Sequence, residues 1–247
     1  MPLAILPIFV CCAFVAEVIG TMAGFGAATV LTPIASWFMD IKTAVAIVAC
    51  FHLFGNGSRL YFFGRQIRWP MVLWFGVTGV ACSFAGASWA ARLPAPQIRA
   101  ALGIFLLCYV VAEVLHLTAA RVPATPATLL VGGASSGLVA GIIGTGGAIR
   151  SVCLLAFGLP KEAYLGTSAC LALLVDATRV PVYLTQHFIP GTMVPVLLSL
   201  IGVAFAGAWV GQRLVRRVSP VHFQRFVLVM VALMGIKLLI DGWRGTA

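Results

Sequence analysis

The chain has 247 residues, of which 62% are hydrophobic and 9% charged, and its mean hydropathy is +1.08. Soluble domains are nearer half apolar and a quarter charged, so this composition predicts one all-α polytopic membrane domain without a soluble appendage. The net charge of +10 does not indicate a nucleic-acid partner, because most of the sixteen basic residues end apolar runs, where they orient membrane proteins. The expected surroundings are therefore a lipid bilayer.

Two kinds of apolar stretch follow one another along the chain. The first, 3–39, is too long for one membrane helix and short for two, and glycines interrupt it; the stretch 127–159 has the same character. Each predicts a hairpin of two short or partly re-entrant helices. Three stretches with the length of a single span follow each hairpin: 43–63, 69–91 and 97–118, then 162–184, 191–215 and 222–243.

The first stretch also has the position of a signal peptide. It lacks a basic leader, and it carries Glu17 where a cleavage site would be expected. We therefore expect it to be retained as the first span, which gives eight to ten transmembrane segments in all.

The two halves of the chain repeat one another about 120 residues apart. Phe-Ala-Gly-Ala occurs at 84–87 and at 205–208, and Ala-Cys occurs at 49–50 and at 169–170. We predict a single transporter domain over 1–247, with repeat 1 at about 1–118, a cytoplasmic linker at 119–126 and repeat 2 at about 127–247. Duplicated apolar segments with matching glycine interruptions are typical of secondary transporters.

Charge in the loops predicts that the second repeat is inverted. Five crossings in each half would bring the loop with Arg65 and Arg68 to the same side as the loop with Arg213, Arg216 and Arg217. These loops are the arginine-rich ones, so the positive-inside rule places both in the cytoplasm.

The paired glycine interruptions are the first candidate site. Opposed half-helices aim backbone N–H groups and positive dipole ends at one point, which suits an anion. Close helix packing of the Gly-x-x-x-Gly type is the alternative, but the same interruption in both halves favours the anion site. The predicted substrate-binding residues of the two interruptions are Gly24, Gly26, Gly144, Thr145, Gly146 and Gly147.

Three polar residues extend this predicted site. Arg150 either contacts substrate oxygens or extends to a nearby membrane face, and the sequence leaves both readings open. The hydroxyls of Thr167 and Ser168 could bind substrate, although such hydroxyls more commonly bond to a helix carbonyl.

A second constellation repeats in the two halves: Asn56 with Arg59, and Asp176 with Arg179. A carboxylate three residues before an arginine can pair with it on one helix face. We predict that these four residues line the pathway, with Asp176 a candidate proton carrier because it lies deep in an apolar run. For Arg59 the favoured alternative is a helix end at the membrane interface.

The cysteines and histidines indicate no cofactor. None of the seven cysteines forms Cys-x-x-Cys, and the four histidines do not form two facing pairs. We therefore expect no metal and no cofactor, and no enzyme, because catalysis would require clustered ligands or acids on facing helices.

The chain resembles the TauE/SafE sulfite exporter family over essentially its whole length. The resemblance is carried by Gly20-x-x-Ala-Gly24-x-Gly26 leading to Pro33, by Ser136-Gly137-x-x-x-Gly141-x-x-Gly144-Thr-Gly146-Gly147, by Gly166-Thr-Ser168 and by Gly207-Ala-x-x-Gly211. It implies ion-coupled transport, without ATP, of sulfite, sulfonates or related sulfur oxyanions. The chain departs from the family pattern at Ala27-Ala28, Ala148, Arg150 and Cys153.

The expected protein is thus a multi-pass secondary transporter of the bacterial inner membrane that works by alternating access. Its expected partners are a small anion and a coupling proton or cation, and the sequence is compatible with a homo-oligomer. Two other functions stay open, a carrier of small carboxylates and a non-transporting membrane scaffold or assembly subunit.

Overall fold

The computed structural model describes residues 5–23, 26–115, 122–214 and 220–244, and within these ranges it is built from helices without strands. The α-helices are α1 (Leu6–Ala23), α2 (Ala28–Ala35), α3 (Ile41–Phe63), α4 (Trp69–Ala90), α5 (Ala95–Val114), α6 (Pro126–Ile143), α7 (Gly147–Leu155), α8 (Lys161–Thr185), α9 (Val194–Leu214) and α10 (Pro220–Arg244). Short 3-10 helices over Gly64–Gln66 and Gly191–Met193 precede α4 and α9.

Six of the described helices are long and apolar enough to cross a membrane, namely α3, α4, α5, α6, α8 and α9. The all-α polytopic class expected from the sequence is confirmed. Its cause is the run of apolar residues in each helix, since a chain in lipid must satisfy its backbone hydrogen bonds within the segment.

Each glycine-interrupted stretch folds as a long helix followed by a short one. The helices α1 and α2 have 18 and 8 residues, and α6 and α7 have 18 and 9. At about 1.5 Å per residue the short helices are only about 12–14 Å long, less than half of a bilayer core of about 30 Å. Two short or partly re-entrant helices were predicted in each stretch. The structure has two helices in each, but only the second is short, because the apolar run before the glycines is long enough for a helix of 18 residues.

The interruptions occur at glycines with a backbone that other residues rarely adopt. Gly26 has φ 94° and Gly144 has φ 83°, in the left-handed region that glycine enters without steric cost. Gly24, the other residue predicted for the first interruption, lies outside the described residues, as does part of the predicted linker.

The helices α1 to α5 of the first half correspond in order to α6 to α10 of the second half, and the main helix contacts are the same in the two halves. Thus α1 packs on α9 as α6 packs on α4, and α3 packs on α9 as α8 packs on α4. The pairs α3–α8 and α5–α10 contact each other directly. The pattern supports the repeat, while the inversion across a membrane stays a prediction.

Glycines on α6 allow α4 and α6 to approach through their backbones. A Cβ atom on Gly137 would overlap the carbonyl of Gly79, and one on Gly141 would overlap the backbone of Ser83 and Ala87. The close-packing alternative therefore applies to these two glycines of α6, as small residues do at membrane helix interfaces. It does not apply to Gly144, which ends the helix.

We expect Gly137→Ala to lower the free energy of unfolding by about 1–3 kcal/mol, because the new methyl group has to separate two helices that are in backbone contact. Thermal unfolding in detergent would measure the loss. Gly202→Ala on α9 is the matched control, since a Cβ atom there meets nothing within 4 Å. Equal unfolding temperatures for the two variants would contradict the packing.

Candidate functional site

A buried polar cluster lies where α3 crosses α8, between α1 and the end of α6. Its residues are at most 5% exposed, and the side chain of each has a hydrogen bond to another member or to a nearby carbonyl. The members are Glu17, Thr21, His52, Asn56, Arg59, Asp176, Arg179 and Tyr183. We call this set the central cluster.

Arg59 organises the part of the central cluster that faces α1. Its guanidinium forms an ion pair with the Glu17 carboxylate, and its Nε donates to Thr21 Oγ1 at 3.0 Å. Its third partner is Asn56 Oδ1 at 2.9 Å. Arg59 is only 5% exposed, so it is not the helix-end residue that the alternative reading of the sequence favoured.

Asp176 organises the part of the central cluster that faces α6. Its Oδ1 accepts from Arg179 Nε at 2.9 Å, and its Oδ2 lies 2.7 Å from His52 Nδ1 and 3.2 Å from Asn56 Nδ2. Arg179 also donates to the Ala140 carbonyl at 2.7 Å, close to the end of α6. The i, i+3 pairing predicted for Asp176 and Arg179 is present.

Arg59 and Arg179 are at equivalent positions of the two repeats, but the carboxylates that pair with them lie on different helices. The partner of Arg59 is Glu17 on α1, whereas Arg179 has its own neighbour Asp176 on α8. Asn56 replaces an acid in the first half and donates to Asp176 instead, which joins the two parts of the cluster. The cluster therefore couples the halves through hydrogen bonds between α3 and α8.

The two glycine interruptions lie beside this cluster and contact each other. Thr29 Oγ1 in the first turn of α2 and Thr145 Oγ1 in the second interruption are 2.8 Å apart, and both residues are buried. Ser136 Oγ donates to the Gly146 carbonyl at 2.8 Å, which holds the second interruption against α6. The starts of α2 and α7 are thus brought together, as the opposed half-helices of the sequence prediction require.

Arg150 lies in α7, four residues after Gly146, and is 4% exposed. Its Nε donates to Ser168 Oγ at 3.0 Å. No described carboxylate forms an ion pair with it, in contrast to Arg59 and Arg179. The guanidinium is enclosed by protein, so it does not extend to a membrane face as one reading of the sequence had it.

The structure does not bring the hydroxyl of Thr167 to the interruptions. Its Oγ1 accepts a hydrogen bond from the backbone N–H of Arg68 at 3.0 Å, at the start of α4. The neighbouring Ser168 points in a different direction from the helix axis, and its hydroxyl contacts Arg150. Consecutive helix positions point in directions about 100° apart, which explains why only one of the two adjacent hydroxyls reaches Arg150.

Sequence reasoning missed His52 as a member of the site. Its ring Nδ1 contacts Asp176, and its Nε2 is the atom nearest to where a Cβ of Gly26 would lie. The available signal was its spacing of four residues from Asn56, which places the two on one face of α3. That signal is weak, because histidine on a mostly apolar helix is commonly a packed core residue.

The buried ionisable residues on α1, α3, α7 and α8 carry unbalanced charge. Among the described residues of these helices, three buried arginines face two buried carboxylates. Glu17 and Asp176 are used by Arg59 and Arg179, so the excess positive charge is that of Arg150. An uncompensated cation in a water-poor site favours an anionic ligand.

A family model described as "Sulfite exporter TauE/SafE" matches residues 9–238, which includes both halves of the fold. No curated protein and no solved structure matches the chain.

Proposed function

The chain belongs to the TauE/SafE sulfite exporter family, and we propose that it transports small anions of the sulfite, sulfonate and related sulfur oxyanion class across a bacterial inner membrane. Transport would proceed by alternating access and be coupled to an ion. The family and the six long apolar helices support a multi-pass membrane protein that transports rather than catalyses.

The observation that carries the proposal is the buried guanidinium of Arg150. It has a hydroxyl partner, Ser168, but no described acid forms an ion pair with it, and it lies in the first turn of the helix that follows the second glycine interruption. A guanidinium presents a planar fork of N–H donors that matches two oxygens of an oxyanion. A sulfite or sulfonate group therefore suits this position both in charge and in shape.

The interruptions add donors that are neutral. The first N–H groups of a helix have no acceptor within that helix, and the starts of α2 and α7 lie together here. The hydroxyl of Thr145 lies at the contact between them. We propose that an anion binds to the N–H groups at this contact, and that Gly26, Gly144, Gly146 and Gly147 supply the backbone around it.

The two rival functions make different demands on these residues. A scaffold or assembly subunit needs no buried cation without an acid partner, so Arg150 favours transport. A small carboxylate is also a planar oxyanion and would suit the same donors. The transport assay therefore has to include a small carboxylate beside the sulfur anions.

Counterflow in proteoliposomes tests the proposal with sulfite, thiosulfate, methanesulfonate and acetate. We expect saturable exchange of at least one sulfur anion, reduced about 100-fold in Arg150→Gln, because losing one side of a buried charged contact costs at least about 2–3 kcal/mol. Arg213→Gln is the matched control. Its charge change is the same, but Arg213 is exposed and its guanidinium lies 3.5 Å from the Trp209 ring centroid.

Each outcome of the counterflow assay decides between functions. No exchange of any anion by folded wild-type protein would favour the scaffold and overturn the proposal. Exchange of acetate alone would assign the site to carboxylates. Equal exchange by Arg150→Gln and wild type would remove Arg150 from the site.

A further inference from the structure

The Nε2 atom of His52 is buried and has no hydrogen-bond partner among the described residues. The residue is 4% exposed, and a Cβ atom on Gly26 would meet this nitrogen before any other atom. The ring nitrogen therefore faces the first glycine interruption, where α2 begins. A buried polar atom without a partner is rare in a folded protein and calls for a ligand, a proton or water.

The other ring nitrogen determines which atom of His52 is protonated. Nδ1 lies 2.7 Å from Asp176 Oδ2 and 3.0 Å from Asn56 Nδ2. The carboxylate makes the shorter contact and only accepts hydrogen bonds, whereas the Asn56 amide can donate to the same Asp176 oxygen at 3.2 Å instead of to the ring. Nδ1 therefore carries the hydrogen in the neutral ring, and Nε2 carries a lone pair. That lone pair faces the interruption and is available to a proton.

Asp176 is less suited to this role, although its depth in the sequence suggested it. Its Oδ1 accepts from two nitrogens of Arg179, and its Oδ2 accepts from His52 and Asn56. These four donors occupy the acceptor positions of a carboxylate. A further proton on Asp176 would have to displace one of them.

Glu17 has one oxygen, Oε2, without a partner. This carboxylate lies against Gly55 of α3 and pairs with Arg59, so its free oxygen is not at the interruptions. A proton on it would also weaken that ion pair.

Thr32 Oγ1 is likewise buried without a partner, and Thr32 lies against Gly144, but a hydroxyl does not take up a proton near neutral pH. Of the described buried atoms without a partner, His52 Nε2 is therefore the one at the interruptions that can bind a proton.

We propose that His52 Nε2 binds the coupling proton, so that the protein carries a proton and an anion together in the same direction. The proton adds to the Nε2 lone pair from one side of the membrane and leaves it on the other, while Nδ1–H stays bonded to Asp176. This inference rests on the proposed anion transport and names the group that couples it.

The surrounding charges explain why proton and anion would bind together. Arg59 on the same helix and Arg150 on α7 oppose a further positive charge on the ring, and Asp176 on α8 favours it. Beyond these, Arg179 pairs with Asp176 and Glu17 pairs with Arg59. An anion beside Arg150 offsets the repulsion, so it raises the proton affinity of His52, and the proton raises the anion affinity by the same factor.

The test uses proteoliposomes with the membrane potential clamped at zero and the same sulfite, thiosulfate and methanesulfonate probes. With one proton per anion, an inward pH gradient of one unit is expected to concentrate the transported probe by up to about tenfold in wild type. His52→Gln and His52→Asn should lose this gradient response. Gln places an amide near Nε2, and Asn keeps an N–H donor for Asp176, but neither side chain takes up a proton.

His187→Asn is the matched control, because His187 is exposed and has φ 55°, which asparagine tolerates. It should keep the full gradient response. A second measurement does not depend on transport. Each probe is added to the protein in weakly buffered detergent solution, and the uptake of protons is measured. Wild type should take up a proton with the anion, and its apparent affinity for the anion should fall as pH rises.

The outcomes separate this inference from the proposed function. Exchange without gradient-driven accumulation, or without proton uptake, in wild type would leave transport standing and overturn the role of His52. So would gradient-driven accumulation that persists in His52→Gln or His52→Asn. Absence of exchange for all three probes in wild type would overturn both proposals.

Discussion

Asp176→Asn is expected to lower the free energy of unfolding by about 3–5 kcal/mol and to abolish anion exchange. This carboxylate holds Arg179, His52 and Asn56 in one buried arrangement. An amide of the same shape leaves the Arg179 charge buried without its counter-ion, which is the costly way to break a buried ion pair. It also releases the His52 ring that faces the first interruption.

Thermal or denaturant unfolding in detergent would measure the first effect, and counterflow would measure the second. Asp241→Asn is the matched control, because Asp241 pairs with Lys237 at 2.5 Å in a more exposed setting. Exposed ion pairs contribute about 0–1 kcal/mol, so this variant should retain both stability and transport. A loss at Asp176 no larger than that at Asp241 would contradict the central position given to Asp176.

Glu17→Gln is also expected to lower the free energy of unfolding by about 3–5 kcal/mol, because it leaves the Arg59 charge buried without its counter-ion. The guanidinium then has only neutral hydrogen-bond partners such as Thr21 and Asn56. The double variant with Arg59→Gln should be less unstable than the sum of the single variants, because removing both charges avoids the unpaired one. Measuring the unfolding of wild type, the two single variants and the double variant in one detergent completes this double-mutant cycle.

Glu162→Gln is the control for this cycle. Glu162 is exposed in the first turn of α8, where an acid contributes about 0.3–1 kcal/mol through the helix dipole. Additive losses in the Glu17 and Arg59 cycle would show that the two residues do not stabilise each other. That result would also separate α1 from the central cluster.

The order and kind of the helices could be predicted because each is determined locally. The single spans follow from the length of the apolar runs, which must be long enough to cross a bilayer core. The hairpins follow from glycines in stretches too long for one helix, and Gly26 and Gly144 indeed adopt a left-handed backbone there. The all-α polytopic fold class and the i, i+3 pair of Asp176 and Arg179 could be predicted because both depend only on residues close in sequence.

The roles of individual polar residues could be predicted only in part. Arg150 was recognised as a charge within an apolar stretch, but the sequence left open whether it faced a ligand or a membrane surface, and the structure shows that it is buried. Thr167 and Ser168 were equivalent as hydroxyls, whereas the structure directs Thr167 to Arg68 and only Ser168 to Arg150. Which face of a helix meets which neighbour is decided by packing, and a sequence of mostly apolar residues carries little periodic signal for it.

The sequence by itself determined the all-helical membrane fold, the paired interruptions and the family resemblance. The tertiary structure alone decided that Arg59 is buried against Glu17, and that His52 meets Asp176 across 124 residues of chain. The physical reason is that a hydrogen bond depends on distances in space of about 3 Å. Patterns of spacing report only the neighbours on one helix, so the contact between α3 and α8 had to be seen in the folded chain.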